Sequence, residues 1–138
     1  MEQPDWKTLE GELFEPGDGH VGFVYLITRI DTGRAYIGKK GLTRAVTRPP
    51  LKGKKRKRRE TKESDWRSYW GSNKTLQEEV EKLGGHMFKR QVIRACSSKA
   101  EMSYYEAKYQ LLYDVLLLPD AYYNEWVAVK VTRSHMRK

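Results

Sequence analysis

The chain has 138 residues, a formal net charge of +9 and a single cysteine, so one domain with a modest core is expected and an intrachain disulfide or multi-thiolate zinc site is excluded. The histidines His20, His86 and His135 lack metal-ligand spacing, and no apolar run approaches the roughly 18 residues of a membrane span. Met1-Glu-Gln-Pro-Asp5 carries no charged-then-apolar signal pattern, and the expectation is a soluble, unsecreted, cytoplasmic protein with no membrane partner.

Residues 1 to 20 are polar and broken by Pro4, Gly11, Pro16, Gly17 and Gly19, which predicts a partly irregular N-terminal arm pinned by Trp6 and Leu13-Phe14. A β-hairpin follows. Its first arm, Val21 to Thr28, is rich in β-branched and aromatic residues, its second is Ala35 to Gly38, and Asp31-Thr-Gly33-Arg has turn chemistry. With Ile30 opposite Ala35, the period of two places Tyr25, Tyr36 and Lys40 on one face, where two phenols and an ammonium could hold a phosphate. A shorter loop or a bulge would separate them, and both tyrosines are also ordinary strand residues.

Lys39 to Glu63 reads as a long basic loop, without structure of its own, inserted in the domain. Lys52, Lys54, Lys55, Arg56, Lys57, Arg58, Arg59 and Lys62 against Glu60 alone give it +7 between residues 52 and 62. Such a run points to a nucleic-acid partner, against the alternatives of a solvated loop or a localisation-like tract. In Trp66-Arg67-Ser-Tyr69-Trp70 the rings suit either core packing or base stacking, with core favoured for Trp66 and Trp70, and Arg67 among them a nucleic-acid contact.

A helix is predicted from about Lys74 to Leu83, capped by Ser72 or Asn73 and stopped by Gly84-Gly85, then a strand from Phe88 to Ala95 with imperfect alternation. Ser98-Lys-Ala-Glu101 fits a capping box opening a longer helix to about Leu118, before Pro119. Its apolar stripe is Met102, Tyr105, Tyr109, Leu112, Tyr113 and Leu116, and Glu106 lies at the stripe's edge. A carboxylate there must be paired, hydrogen-bonded, bound to a cation, or reach water. Residues 127 to 138 read as an edge strand on Val127, Val129 and Val131 and a basic tail. The fold class is α+β, a small mixed or antiparallel sheet of about three strands flanked by helices.

Phe23-Val24-Tyr25 and Tyr36-Ile37-Gly38, eleven positions apart from tyrosine to tyrosine, resemble the two-part signature of the GIY-YIG nuclease family. The second half matches to the letter, the first only in its tyrosine. The order hairpin, helix, strand, glutamate-bearing helix and asparagine is similar as well, over residues 21 to 126. The resemblance implies a metal-dependent DNA endonuclease. It places Tyr25 and Tyr36 on the motif tyrosines, gives Lys39 a role beside them, matches Glu106 to the ligand of one divalent metal and Asn124 to the downstream asparagine. The family's arginine ten residues beyond the second tyrosine is here Val46; Arg44, Arg48 and Arg67 are the substitutes, Arg44 preferred.

Phosphodiester hydrolysis needs phosphate charge neutralised, water deprotonated and the leaving oxygen stabilised. On this reading Glu106 holds Mg²⁺ or Mn²⁺, Arg44 and Lys39 or Lys40 bind phosphoryl oxygens, and Tyr25 is the base, its usual pKa of about 10 lowered by nearby cations or its proton relayed through metal-bound water. The substrate is DNA, duplex or branched, in a bacterial cell or a phage-infected host, with a homodimer or partner protein needed for high specificity. The competing expectation is a non-catalytic nucleic-acid-binding module that uses the basic loop.

Overall fold

The tyrosine hairpin forms one side of a four-stranded sheet. The computed structural model describes residues 4–127. Strands β1 (Lys7–Thr8), β2 (Gly22–Arg29), β3 (Ala35–Gly41) and β6 (Phe88–Cys96) form the sheet in the order β1-β6-β2-β3, and β4 (Thr43–Arg48) with β5 (Arg58–Glu63) forms a separate two-stranded ribbon. The helices are α1 (Lys74–Leu83) and α2 (Lys99–Leu112). The fold is α+β with a mixed sheet, since β1 runs parallel to β6 while β2 is antiparallel to both neighbours. The fourth strand comes from the N-terminal arm. Trp6 beside it is buried and donates its indole N–H to the Trp66 carbonyl at 2.7 Å, whereas of Leu13-Phe14 only Phe14 is buried.

In the hairpin Ala35 pairs with Thr28 rather than Ile30. The slip is two residues, so the parity is unchanged, and Tyr25, opposite Gly38, still shares its face with Tyr36 and Lys40. A slip of one would have parted the tyrosines. On the other side of β2 the pairing with β6 shifts between Val24 and Tyr25. Ile93 is the additional residue, and this bulge is why the alternation of Phe88 to Ala95 is imperfect.

The segment expected to be a structureless loop is instead the β4–β5 ribbon, paired from Thr43↔Glu63 to Arg48↔Arg58. β-branched threonines and long basic side chains tolerate extended backbone without a core. All of β5 is exposed.

Helix α1 has the predicted bounds, with Asn73 Oδ1 accepting from Leu76 N–H at 2.9 Å. Helix α2 opens on Ser98, whose Oγ accepts from Glu101 N–H, but ends at Leu112, not near Leu118. Asp114 there takes a left-handed φ of 54°. The expected stripe does not hold along the helix: Met102, Ala107 and Gln110 are buried and Tyr105 and Tyr109 partly so, Leu112 is already exposed within α2, and past the turn Tyr113 and Leu116 are exposed while Val115 is buried. The continuation of Val127 into an edge strand, and the basic tail, lie outside the described residues. Among the described residues no helix is long and apolar enough to cross a membrane.

Each sheet face has its own core. One gathers Trp6, Phe14, Phe23, Tyr25, Trp66, Trp70, Leu76 and Phe88, and the other Val24, Ile37, Cys96 and Met102 under α2. The aromatic core closes around Arg90, only 2% exposed, whose guanidinium lies 4.8 Å from the Trp6 ring and 4.4 Å from the Trp70 ring. Arg90 donates to the carbonyls of Tyr69 and Pro4, and burial pulls its pKa down to about 10. Arg90→Ala leaves a void and two carbonyls without donors, and is expected to cost about 3 kcal/mol, read as a fall in melting temperature of roughly 10 °C.

Candidate active site

Strand β3 is the sheet's edge, and its outward backbone groups are met by the far end of the chain. Ala35 N–H donates to Ala121 O, and Ala35 O accepts from Tyr123 N–H. Ile37 N–H donates to Asn124 Oδ1 at 3.1 Å, while Ile37 O accepts from Asn124 Nδ2 and Gln110 Nε2, each at 2.8 Å. Lys39 N–H donates to the Glu106 carboxylate. Glu106 and Asn124 are thereby fastened beside Tyr36. The Asn124 amide acts as a substitute strand residue, and buried backbone groups require such partners.

Next to this seam lies a cavity of about 450 Å³ lined by Tyr36, Lys39, Glu106 and Gln110, by Ser72, Asn73 and Lys74 at the start of α1, and by Glu125 and Trp126. Tyr36 Oη is 2.9 Å from Ser72 Oγ, and Lys39 Nζ donates to Ser103 Oγ at 2.7 Å. Burial raises the Glu106 pKa, which Lys39 partly opposes through its charge and its backbone N–H. Burial likewise raises Tyr36, against the hydrogen bond from Ser72.

Tyr25 is placed differently. It is 1% exposed and packs 6.2 Å from Tyr36 and 6.0 Å from Tyr69, ring to ring. Burial above all, then Tyr69 and Tyr36, holds its phenol well above the usual tyrosine range. Tyr25 is not among the residues that line the cavity, which Tyr36 borders. Gly38 makes the tyrosine packing possible: a Cβ there would lie 2.5 Å from Tyr25 Oη and 2.9 Å from Tyr36 Cε2.

None of the three candidate arginines lines the cavity. Arg44 lies on β4, close enough to Asp65 for its charge to lower that carboxyl's pKa. Arg48 pairs with Glu60 at 2.9 Å, and Arg67 pairs with Glu63 and covers the Trp66 ring. Lys40, paired with Asp65 at 2.6 Å, sits 4.1 Å from the Tyr69 ring centroid. Lys52, Lys54, Lys55, Arg56 and Lys57 are exposed at the ribbon's tip, and Arg58 and Arg59 open its second strand. Trp66 and Trp70 are core, as favoured from the sequence. Ser72, Asn73, Lys74, Gln110, Glu125 and Trp126 were missed as site residues. For Ser72 and Lys74 the cap of α1 was the available signal, and for Glu125 and Trp126 their adjacency to Asn124.

The domain is α+β, a mixed sheet with two face-sharing tyrosines and a helix glutamate fastened to the edge of the second tyrosine's strand. The chain belongs to the GIY-YIG domain family: the family model described as "Putative endonuclease segE, GIY-YIG domain" matches residues 2–127. The match takes in the N-terminal arm that β1 brings into the sheet. No curated protein and no solved structure matches the chain.

Two substitutions check the geometry. Gly38→Ala is expected to lose about 2 kcal/mol in a denaturant melt, because the tyrosines cannot both stay in place. Glu106 binds its proton more tightly folded than unfolded, so stability present below the unfolded value of 4.5 is lost as the pH rises through the folded pKa. In EDTA, Glu106→Gln should therefore melt higher than wild type at about pH 7 and together with it at about pH 4.

Proposed function

We propose that the chain is a metal-dependent endonuclease that hydrolyses DNA phosphodiester bonds in the cavity between Tyr36 and Glu106. The observation that carries this reading is a half-buried carboxylate, held by the Lys39 backbone, in a cavity that Tyr36, Lys39 and Lys74 also line. The family's endonuclease description supports it.

Glu106 fits Mg²⁺ or Mn²⁺. Its oxygens are hard donors, its burial disfavours a bare negative charge, and the cavity has room for waters. Among the described residues no group of three or more acidic, histidine or cysteine side chains surrounds it, which suits an ion that keeps most of its waters. When bound, the cation would supply charge neutralisation at the phosphate and lower the pKa of the attacking water. Lys39 and Lys74 bring positive charge to the same phosphate, taking the place left by Val46 and by arginines that point elsewhere. With Ser72 Oγ–H donating to Tyr36 Oη, Tyr36 keeps its own proton to orient the nucleophile or to donate to a phosphoryl oxygen. Tyr25 supports Tyr36 from below, and Asn124 and Gln110 keep β3 in place.

The absence of an arginine from the cavity lining favours the second reading, a binding module without hydrolysis. Plasmid cleavage separates the two. Supercoiled DNA should be cut with Mg²⁺ and not in EDTA, with the rate falling about a hundredfold or more in Glu106→Ala and Tyr36→Phe. DNA bound tightly but left intact under Mg²⁺ and Mn²⁺ alike would exclude the nuclease.

A further inference from the structure

The ribbon's charges are sorted by face. On one side lie Arg44, Val46, Arg48, Arg58, Glu60 and Lys62, four bases and one acid; on the other lie Thr43, Ala45, Thr47, Arg59, Thr61 and Glu63, one base and one acid. Charges that only kept strand edges soluble and unpaired would have no reason to gather on one side. Nor does the basic side cover a core, for all of β5 is exposed.

We propose that the ribbon is a duplex reader, its Arg44–Arg48–Arg58–Lys62 face entering the major groove of B-form DNA. This rests on the nucleic-acid part of the proposed function and not on hydrolysis. Six residues rising about 3.4 Å each span roughly 20 Å, and two strands about 4.8 Å apart fit the roughly 12 Å major groove but not the roughly 6 Å minor groove. Arg48 and Arg58, paired across the strands next to the tip and both beside Glu60, reach base edges as bidentate donors when they exchange that carboxylate for a base. Lys52, Lys54, Lys55, Arg56 and Lys57 at the tip meet phosphates. The deep, narrow major groove of A-form RNA would not admit the ribbon.

The face also leads toward the cavity. Lys40, which shares the face of Tyr36 on β3, pairs with Asp65 at 2.6 Å. That carboxyl's pKa is lowered chiefly by the Lys40 hydrogen bond and also by the charge of Arg44, at the foot of the ribbon's basic face. A duplex seated on the ribbon is thus delivered along Arg44, Asp65 and Lys40 to the tyrosine side of the sheet.

The test is fluorescence anisotropy with the Glu106→Gln protein in EDTA, so that no strand is cut. The probes are a labelled duplex two helical turns long, the same duplex with bulky C5 substituents on its pyrimidines, and RNA duplex and single-stranded DNA of the same sequence. Expected are about tenfold weaker binding for the C5-substituted duplex, for RNA duplex and for single-stranded DNA. The Arg48→Ala/Arg58→Ala pair should lose about tenfold with its melt unchanged, and Arg59→Ala, on the other face, less than about twofold. A minor-groove-binding drug should not compete. The proposal is overturned if Arg59→Ala costs as much as the pair, if C5 substituents are harmless while the drug competes, or if RNA binds as well as DNA. This binding pattern without plasmid cleavage would remove the hydrolytic reading and keep the ribbon; cleavage indifferent to the Arg48/Arg58 pair would do the reverse.

Discussion

The free edge of β3 is the constraint on which the rest of the structure depends. A strand pairs on one side with β2, and its outward N–H and C=O groups must find partners or lose the free energy of buried, unmet hydrogen bonds. Here the partners come from the last described part of the chain: Ala121 and Tyr123 backbone at Ala35, Asn124 and Gln110 amides at Ile37, and the Glu106 carboxylate at Lys39. Closing the edge in this way protects it from pairing with other chains. It also fixes Glu106, a half-buried acid of α2, within the same cavity as Tyr36. Structural necessity and chemical placement are therefore one event.

Burial then separates two residues that look alike in sequence. Tyr25 and Tyr36 share a sheet face, yet Tyr25 is sealed under Trp6, Phe23 and Tyr69 while Tyr36 borders the cavity and bonds Ser72. Removing a phenolate from water is costly, so the enclosed phenol is the more firmly protonated. The glycine of Tyr36-Ile37-Gly38 is required by the same packing, since it leaves the space under both rings. Arg90, between two tryptophans, ties this aromatic layer to the N-terminal arm and to the Tyr69 carbonyl, which brings residues before the motif into the support of the site.

The cations divide between two tasks by distance from that seam. Lys39 and Lys74 line the cavity, where a phosphate can be held at close range. The larger charge stands out on the ribbon and at its tip, where it is solvated and screened, and where attraction to a polyanion acts before contact. No arginine from the ribbon lines the cavity, so the cations beside Glu106 and those of the ribbon are different residues.

Much was legible in the sequence because it depends on local rules. Two-residue alternation put the tyrosines on one face even though the hairpin loop was misjudged by two, since an even slip preserves parity. Asn73 and Ser98 marked helix starts because a cap bonds residues three positions away. The position of Glu106 at the edge of a helical stripe followed from a period of 3.6. What the tertiary structure alone decided concerns groups distant in sequence. Whether Tyr25 or Tyr36 meets the cavity, where Asn124 spends its amide, that α2 stops at Leu112, and that a lysine-rich run pairs into a two-faced ribbon are set by which surfaces remain to be buried or satisfied once the sheet has formed. Burial and backbone pairing are properties of the assembled chain, and a linear pattern carries them only where the partners lie within a few residues.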